Sequence, residues 1–172
     1  PTLAILFLYS YTKRFTWLAH LYLGFAISLA PAGAWVAITG GFSPEILLLS
    51  LALMTYIAGF DILYACQDAE FDRAEALRSI PARFGIRPSL LTARGLHLVS
   101  FGALLGLIPA FGLGPLYIFF TLLIGGLMVV EHCLVRPDDL SRIDIAFFHV
   151  NSLISVLLFL GVLADEGVRR WG

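Results

Sequence analysis

Charge is scarce in this 172-residue sequence: Asp, Glu, Lys and Arg together make up 13% of it, about half the share usual in a soluble domain. With 59% hydrophobic residues and a mean hydropathy of +0.90, that scarcity excludes a soluble core, which could not absorb so much apolar surface. A net charge of −1 without a long basic run gives no footprint for nucleic acid. The two cysteines, Cys66 and Cys133, are too few for a disulfide framework and lack metal-ligand spacing, so apolar packing is their expected role. There is no initiator methionine and no signal-peptide charge ahead of the short apolar run "PTLAILFLYSY". That run reads as the end of a helix begun earlier, and the expectation is a C-terminal portion of a longer membrane protein.

What is abundant is apolar sequence in long runs. A helix needs roughly 20 such residues to cross about 30 Å of hydrocarbon, and five windows qualify: 17–39, 45–66, 95–113, 115–135 and 145–164. The expected fold is all-α, a polytopic transmembrane helical bundle in a single domain. Lys13 and Arg14 precede the first span; Arg73, Arg78, Arg83, Arg87 and Arg94 lie between the second and third; Arg136 and Arg142 lie between the fourth and fifth. The connections "TGGFSPE" and "FGLGP" carry no cation. This alternation places the basic connections in the cytoplasm. Arg169 and Arg170, in "DEGVRRWG", run against the trend but have acidic neighbours.

The second span carries acids before it has left the membrane, in "GFDILYACQDAEFDRAEALRSIPARFG". At 100° per residue, offsets of 7 and 11 from Asp61 return to within roughly 20° of its direction. Asp61, Asp68 and Asp72 are therefore expected on one face of a continuous helix. Three carboxylates in a row in lipid are costly unless something positive sits among them. The all-oxygen donor set, with no His or Cys interleaved, suits Mg²⁺ or Mn²⁺ better than Zn²⁺. Pairing of the acids with Arg73 and Arg78 at a solvated helix end is the competing reading; it explains Asp72 well and Asp61 badly.

"DILYACQDAEFD" followed by "RSIPARFG" resembles the second aspartate-rich motif of the UbiA-type intramembrane prenyltransferases, whose best-known members are 4-hydroxybenzoate polyprenyltransferases. "YSYTKRFTWLAHLYLGFAISLAPAGAWVAITG" resembles the segment around that family's fourth and fifth helices, and "FFHVNSLIS" its last helix. The resemblance implies an enzyme of nine transmembrane helices, of which these would be five to nine. It also implies Mg²⁺-dependent transfer of a polyprenyl group from a prenyl diphosphate to an aromatic acceptor such as 4-hydroxybenzoate, in ubiquinone or menaquinone biosynthesis. The implied setting is a bacterial inner membrane, with the site on the cytoplasmic side.

By the same resemblance Asp68 and Asp72 match the metal and diphosphate aspartates, Asp61 and Tyr64 the positions upstream, and Lys13 and Arg14 a cationic pair. Arg78 adds a cationic contact to phosphate oxygens. Tyr64, one turn from Asp61, offers either a ring face for an allylic cation or an interfacial anchor. Ala76 stands where the family commonly has glycine. The first aspartate-rich motif, NDxxDxxxD, is absent from this chain and is expected in the missing N-terminal half.

The remaining polar residues divide less sharply. His20, His97, His132 and His149 are expected as hydrogen-bonded packing residues, and Glu131 with His132 as a solvated helix end near Arg136. Asn151 is a helix-to-helix hydrogen-bonding residue or a lining of the cavity. Arg83 and Arg87 belong to a cytoplasmic cap or to a lipid anchor. Two other functional classes stay open: a transporter or channel segment with an acidic cation site, and a noncatalytic helical half that packs against a partner. A transporter favours a broken span around its acid, which the continuous pattern here does not suggest.

Overall fold

The computed structural model describes residues 2–171, apart from the side chains of Thr2, Ser10 and Phe147. Its helices are α1 (Thr2–Thr12), α2 (Ala19–Thr39), α3 (Ile46–Ala65), α4 (Ala69–Ala74), α5 (Ile80–Phe84), α6 (Ile86–Phe111), α7 (Pro115–Leu134) and α8 (Asn151–Trp171). A π-helical turn, Ile145–Val150, leads into α8. Five of the helices are long and apolar enough to cross a membrane, the last counted from Phe148 to Trp171. The expectation of an all-helical, five-span bundle is met.

α3 is the central helix, half buried along its span where the other four are a third buried or less. It packs most extensively against α2 and α6, while α7 pairs with α8. Small residues make that centrality feasible: Ala52, Ala58, Gly59 and Ala65 let neighbouring backbones come close. The approach is closest where a Cβ on Gly24 of α2 would run into the Met54 carbonyl oxygen. One apolar cluster joins Tyr56, Leu104, Tyr117, Ile124 and Ile154. A second, toward the basic connections, joins Ile62, Leu63, Cys66, Ile80, Leu90 and Ile143. Large apolar side chains such as Leu98, Val129 and Phe159 are left outward, the arrangement that lipid as a solvent permits.

The turn between α6 and α7 is clamped from α8. Asp165, buried, accepts the Gly114 N–H at 2.7 Å and the Tyr117 N–H at 3.3 Å, satisfying donors that the first turn of α7 cannot pair internally. Pro115 in that turn removes a further donor that would need a partner. Nearby, Arg169 and Arg170 pair with Glu166 at 2.7 and 3.4 Å, so the two arginines outside the basic connections are locally offset.

Three boundaries differ from the sequence expectation. The third span begins at Ile86, not at 95, because helix formation does not stop where hydropathy falls; Pro88 sits in the first turn, where its missing N–H is harmless. The last span is preceded by a π-helical turn and runs to Trp171, beyond 164.

The third difference bears on the acids. α3 ends at Ala65, and Cys66, Gln67 and Asp68 bond back to Leu63, Tyr64 and Ala65, three residues away rather than four. Such bonds tighten the winding, and α4 restarts after Asp68, so the three aspartates do not lie on one uninterrupted helix. Of the cysteines, Cys66 is buried, with its thiol donating to the Ile62 carbonyl at 3.3 Å, but Cys133 is exposed rather than packed.

Candidate active site at the basic end of the bundle

The segment 75–80 folds back over the start of α2 and is stapled to residues 13–20 at three points. The Arg78 N–H donates to the Lys13 carbonyl at 2.6 Å, the Arg78 guanidinium to the Phe15 carbonyl at 2.9 Å, and the Ile80 N–H to His20 Nε2 at 3.4 Å. Ser79, fully buried, caps α5 by accepting the Ala82 N–H at 3.2 Å, with Pro81 in the first turn; "RSIP" is thus a local helix-start signal. Arg83 lies over the rings of Trp17 and Phe84, which meet edge to face at 5.3 Å. Arg73 donates to the Ala82 and Pro81 carbonyls. Among the described residues neither Arg73 nor Arg78 pairs with an acid, as the solvated-end reading required.

Ala76 reverses the chain with φ of +53°, the one described non-glycine residue in the left-handed region. The position that departs from the family's glycine is therefore one where glycine is conformationally favoured.

Inside this frame the acids have separate partners. Asp72, buried, faces Lys13, whose Nζ lies 3.4 Å from Oδ2. Asp68, half-buried, sits four residues before Asp72, one helical turn away. Asp61 Oδ2 lies 2.6 Å from Nδ1 of His20, a fully buried side chain, while 19% of the Asp61 side chain is accessible. Because His20 Nε2 accepts from the Ile80 N–H, Nδ1 carries the proton and donates to Asp61. Asp61 is a hydrogen-bonded acid rather than the third member of a cation cluster. No three His, Cys, Asp or Glu side chains gather as a metal-binding group among the described residues.

Tyr64 is half-buried one turn after Asp61, against the apolar cluster around Ile62 and Leu63. Arg14 is exposed and turned onto the Tyr11 ring at 5.6 Å, apart from Asp72. Asn151 opens α8, where its carbonyl accepts from Ser155 Oγ at 3.0 Å.

Two features of the site are not evident in the sequence. His20 is packed and hydrogen-bonded as expected, but its partners are Asp61 and the 79–80 loop. The other is a polar cluster between α3, α6 and α7: His97 Nε2 sits 3.2 Å from the Tyr56 carbonyl, and His97 Nδ1 is 3.1 Å from His132 Nε2. Glu131, rather than ending a helix in solvent, is fully buried, 3.5 Å from His97 Nδ1 with neither oxygen hydrogen-bonded. The intramembrane-acid rule that singled out Asp61 applies equally to Glu131.

The profile of the UbiA prenyltransferase family matches residues 1–153. Among similar proteins, the chain is 30% identical over 160 residues to a 4-hydroxybenzoate octaprenyltransferase of Saccharophagus degradans, covering 93% of this chain and 53% of that protein. It is also 30% identical over 175 residues to a protein of that name from Nitrosomonas europaea, covering 98% and 57%. The solved apo structure of a UbiA homolog from Aeropyrum pernix K1 superposes with a TM-score of 0.84 at 28% identity, over 96% of this chain and 62% of that one. The chain spans a little over half the length of these relatives. It belongs to the UbiA prenyltransferase family.

Proposed function

We propose that this chain is the C-terminal part of a membrane prenyltransferase that moves a polyprenyl group from a polyprenyl diphosphate to an aromatic acceptor such as 4-hydroxybenzoate, in quinone biosynthesis. The observation that carries the reading is the Lys13–Asp72 contact under the 75–80 segment: a cation and a buried acid, with Asp68 one turn away, at the basic end of an apolar bundle. Lys13, Arg14 and Arg78 are proposed to hold the diphosphate, as charge-assisted donors to its oxygens. Arg14 reaches it by leaving the Tyr11 ring, and Arg78 by its guanidinium beside Phe15.

Asp68 and Asp72 fit Mg²⁺ or Mn²⁺ by donor chemistry, being oxygen-only and with Asp72 paired through one long contact. They would supply two ligands, the others coming from diphosphate, water and the first aspartate-rich motif proposed to lie upstream. Mg²⁺ bound there would neutralise charge developing on the leaving diphosphate. Asp61, held by His20 with part of its side chain accessible, and Tyr64, three residues on, are proposed to face the allylic carbon as it gains positive character. Asn151 is proposed as a lining of the same cavity. The bilayer would be the bacterial inner membrane, with these loops cytoplasmic, and its apolar surroundings would keep water from the cation.

Membranes carrying the whole protein should prenylate 4-hydroxybenzoate in the presence of Mg²⁺ and lose the activity on chelation, whereas membranes carrying only this chain should show insertion without product. Product from this chain alone would contradict the division of the site between two halves.

A further inference from the structure

Outside the proposed active site, a cavity of about 740 Å³ opens between α6 and α7, within the range of small-ligand sites, about 300–1,000 Å³. Its walls are apolar and outward-facing, with Leu98 and Leu122 among the exposed large side chains. Gly126 keeps it open: a Cβ built there meets nothing within 4 Å. The neighbouring Gly125 has no such room, since its Cβ would meet the Phe101 ring.

The polar end is defined by Arg94 and His132. Arg94 is exposed and has no ion pair or hydrogen bond among the described residues. His132 uses Nε2 toward His97, and its Nδ1 has no hydrogen bond among the described residues.

Depth along the membrane normal decides what fits. α6 has 26 residues, about 39 Å at 1.5 Å per residue, against about 30 Å of hydrocarbon. Its far end closes in the tight turn at Gly112–Gly114, so the excess length projects at the basic end. Arg94, eight residues into the helix and about 12 Å along it, therefore lies close to the hydrocarbon boundary, the level of a phospholipid's phosphate and glycerol. α7 runs back toward the same side and places His132, two residues before its end at Leu134, beside His97, one turn further in than Arg94, so that Arg94 and His132 both line the cavity.

We infer that the groove between α6 and α7 binds one anionic phospholipid, with its phosphate at Arg94 and His132 Nδ1 and one acyl chain along Leu98, Leu122 and the space above Gly126. An unpaired cation at the mouth of an apolar groove selects an anionic over a zwitterionic headgroup, and the gap at Gly126 admits a chain.

The test is native mass spectrometry of the whole protein titrated with phosphatidylglycerol or phosphatidylcholine of identical chains. One phosphatidylglycerol per protein should be retained with about a tenfold preference, the scale of a single charge-assisted contact. Arg94→Gln should erase the preference while Arg94→Lys keeps most of it. Gly126→Leu, which replaces glycine within a helix and meets open space, should fold normally and lose retention of both lipids. Unchanged preference in Arg94→Gln, or unchanged retention in Gly126→Leu, overturns the inference. So does a whole protein that retains neither lipid because upstream helices fill the groove.

Discussion

Asp61 and His20 are joined by a 2.6 Å hydrogen bond between α3 and α2, and the far side of the same imidazole receives the Ile80 N–H of the covering loop. One fully buried ring thus fixes an intramembrane acid and the segment that closes over it. His20→Ala should leave Asp61 without its donor and the loop without its anchor. The expected loss is about 3–5 kcal/mol, the scale for breaking one partner of a buried pair, reduced by the partial exposure of Asp61. His20→Gln, which retains an amide donor, should lose less. Thermal unfolding in detergent checks the order; equal stability of wild type and His20→Ala would remove the imidazole from this role.

Ala76 occupies a left-handed conformation that glycine adopts freely. Ala76→Gly should therefore raise stability by about 1 kcal/mol, seen as a higher Tm with prenyl transfer unchanged. A lower Tm would mean that chain entropy outweighs the relieved strain.

Asp165 acts at the opposite end of the bundle, holding two N–H groups at the start of α7. Asp165→Ala should destabilise by about 1–3 kcal/mol, since it leaves those donors unpaired. KM for both substrates should be unchanged, because the residue is remote from the proposed chemistry. A KM increase at full stability would contradict that separation.

The spans were legible because hydropathy is a property of consecutive residues, and the weight placed on Asp61 followed from a carboxylate among Phe60 and Ile62. Its partner was not legible: His20 lies 41 residues away, and only helix packing brings the two together. The break at Cys66–Asp68 was hidden because a 100° period presumes uninterrupted winding. Arg87 and Arg94 likewise concealed the first turns of α6, which are helical although polar. The sequence neighbours of Glu131 suggest a helix end in solvent, whereas its burial is set by packing against α3 and α6.

Membrane orientation can be read from Glu75, exposed on the basic side. With Cys66 and Cys133 replaced, Glu75→Cys should resist an impermeant thiol reagent applied to whole cells and react after permeabilisation. Labelling in intact cells would invert the orientation.

The most direct test of the proposed chemistry is prenyl transfer by the whole protein carrying Asp72→Asn, with Asp68→Asn in parallel. Asn preserves shape while removing the charge that would hold a divalent cation and face Lys13. Both variants should insert normally and lose turnover by at least about a hundredfold, the lower end of what one electrostatic contact to a transition state contributes. Turnover near the wild-type rate in either variant would contradict the assignment of these two aspartates to the diphosphate site.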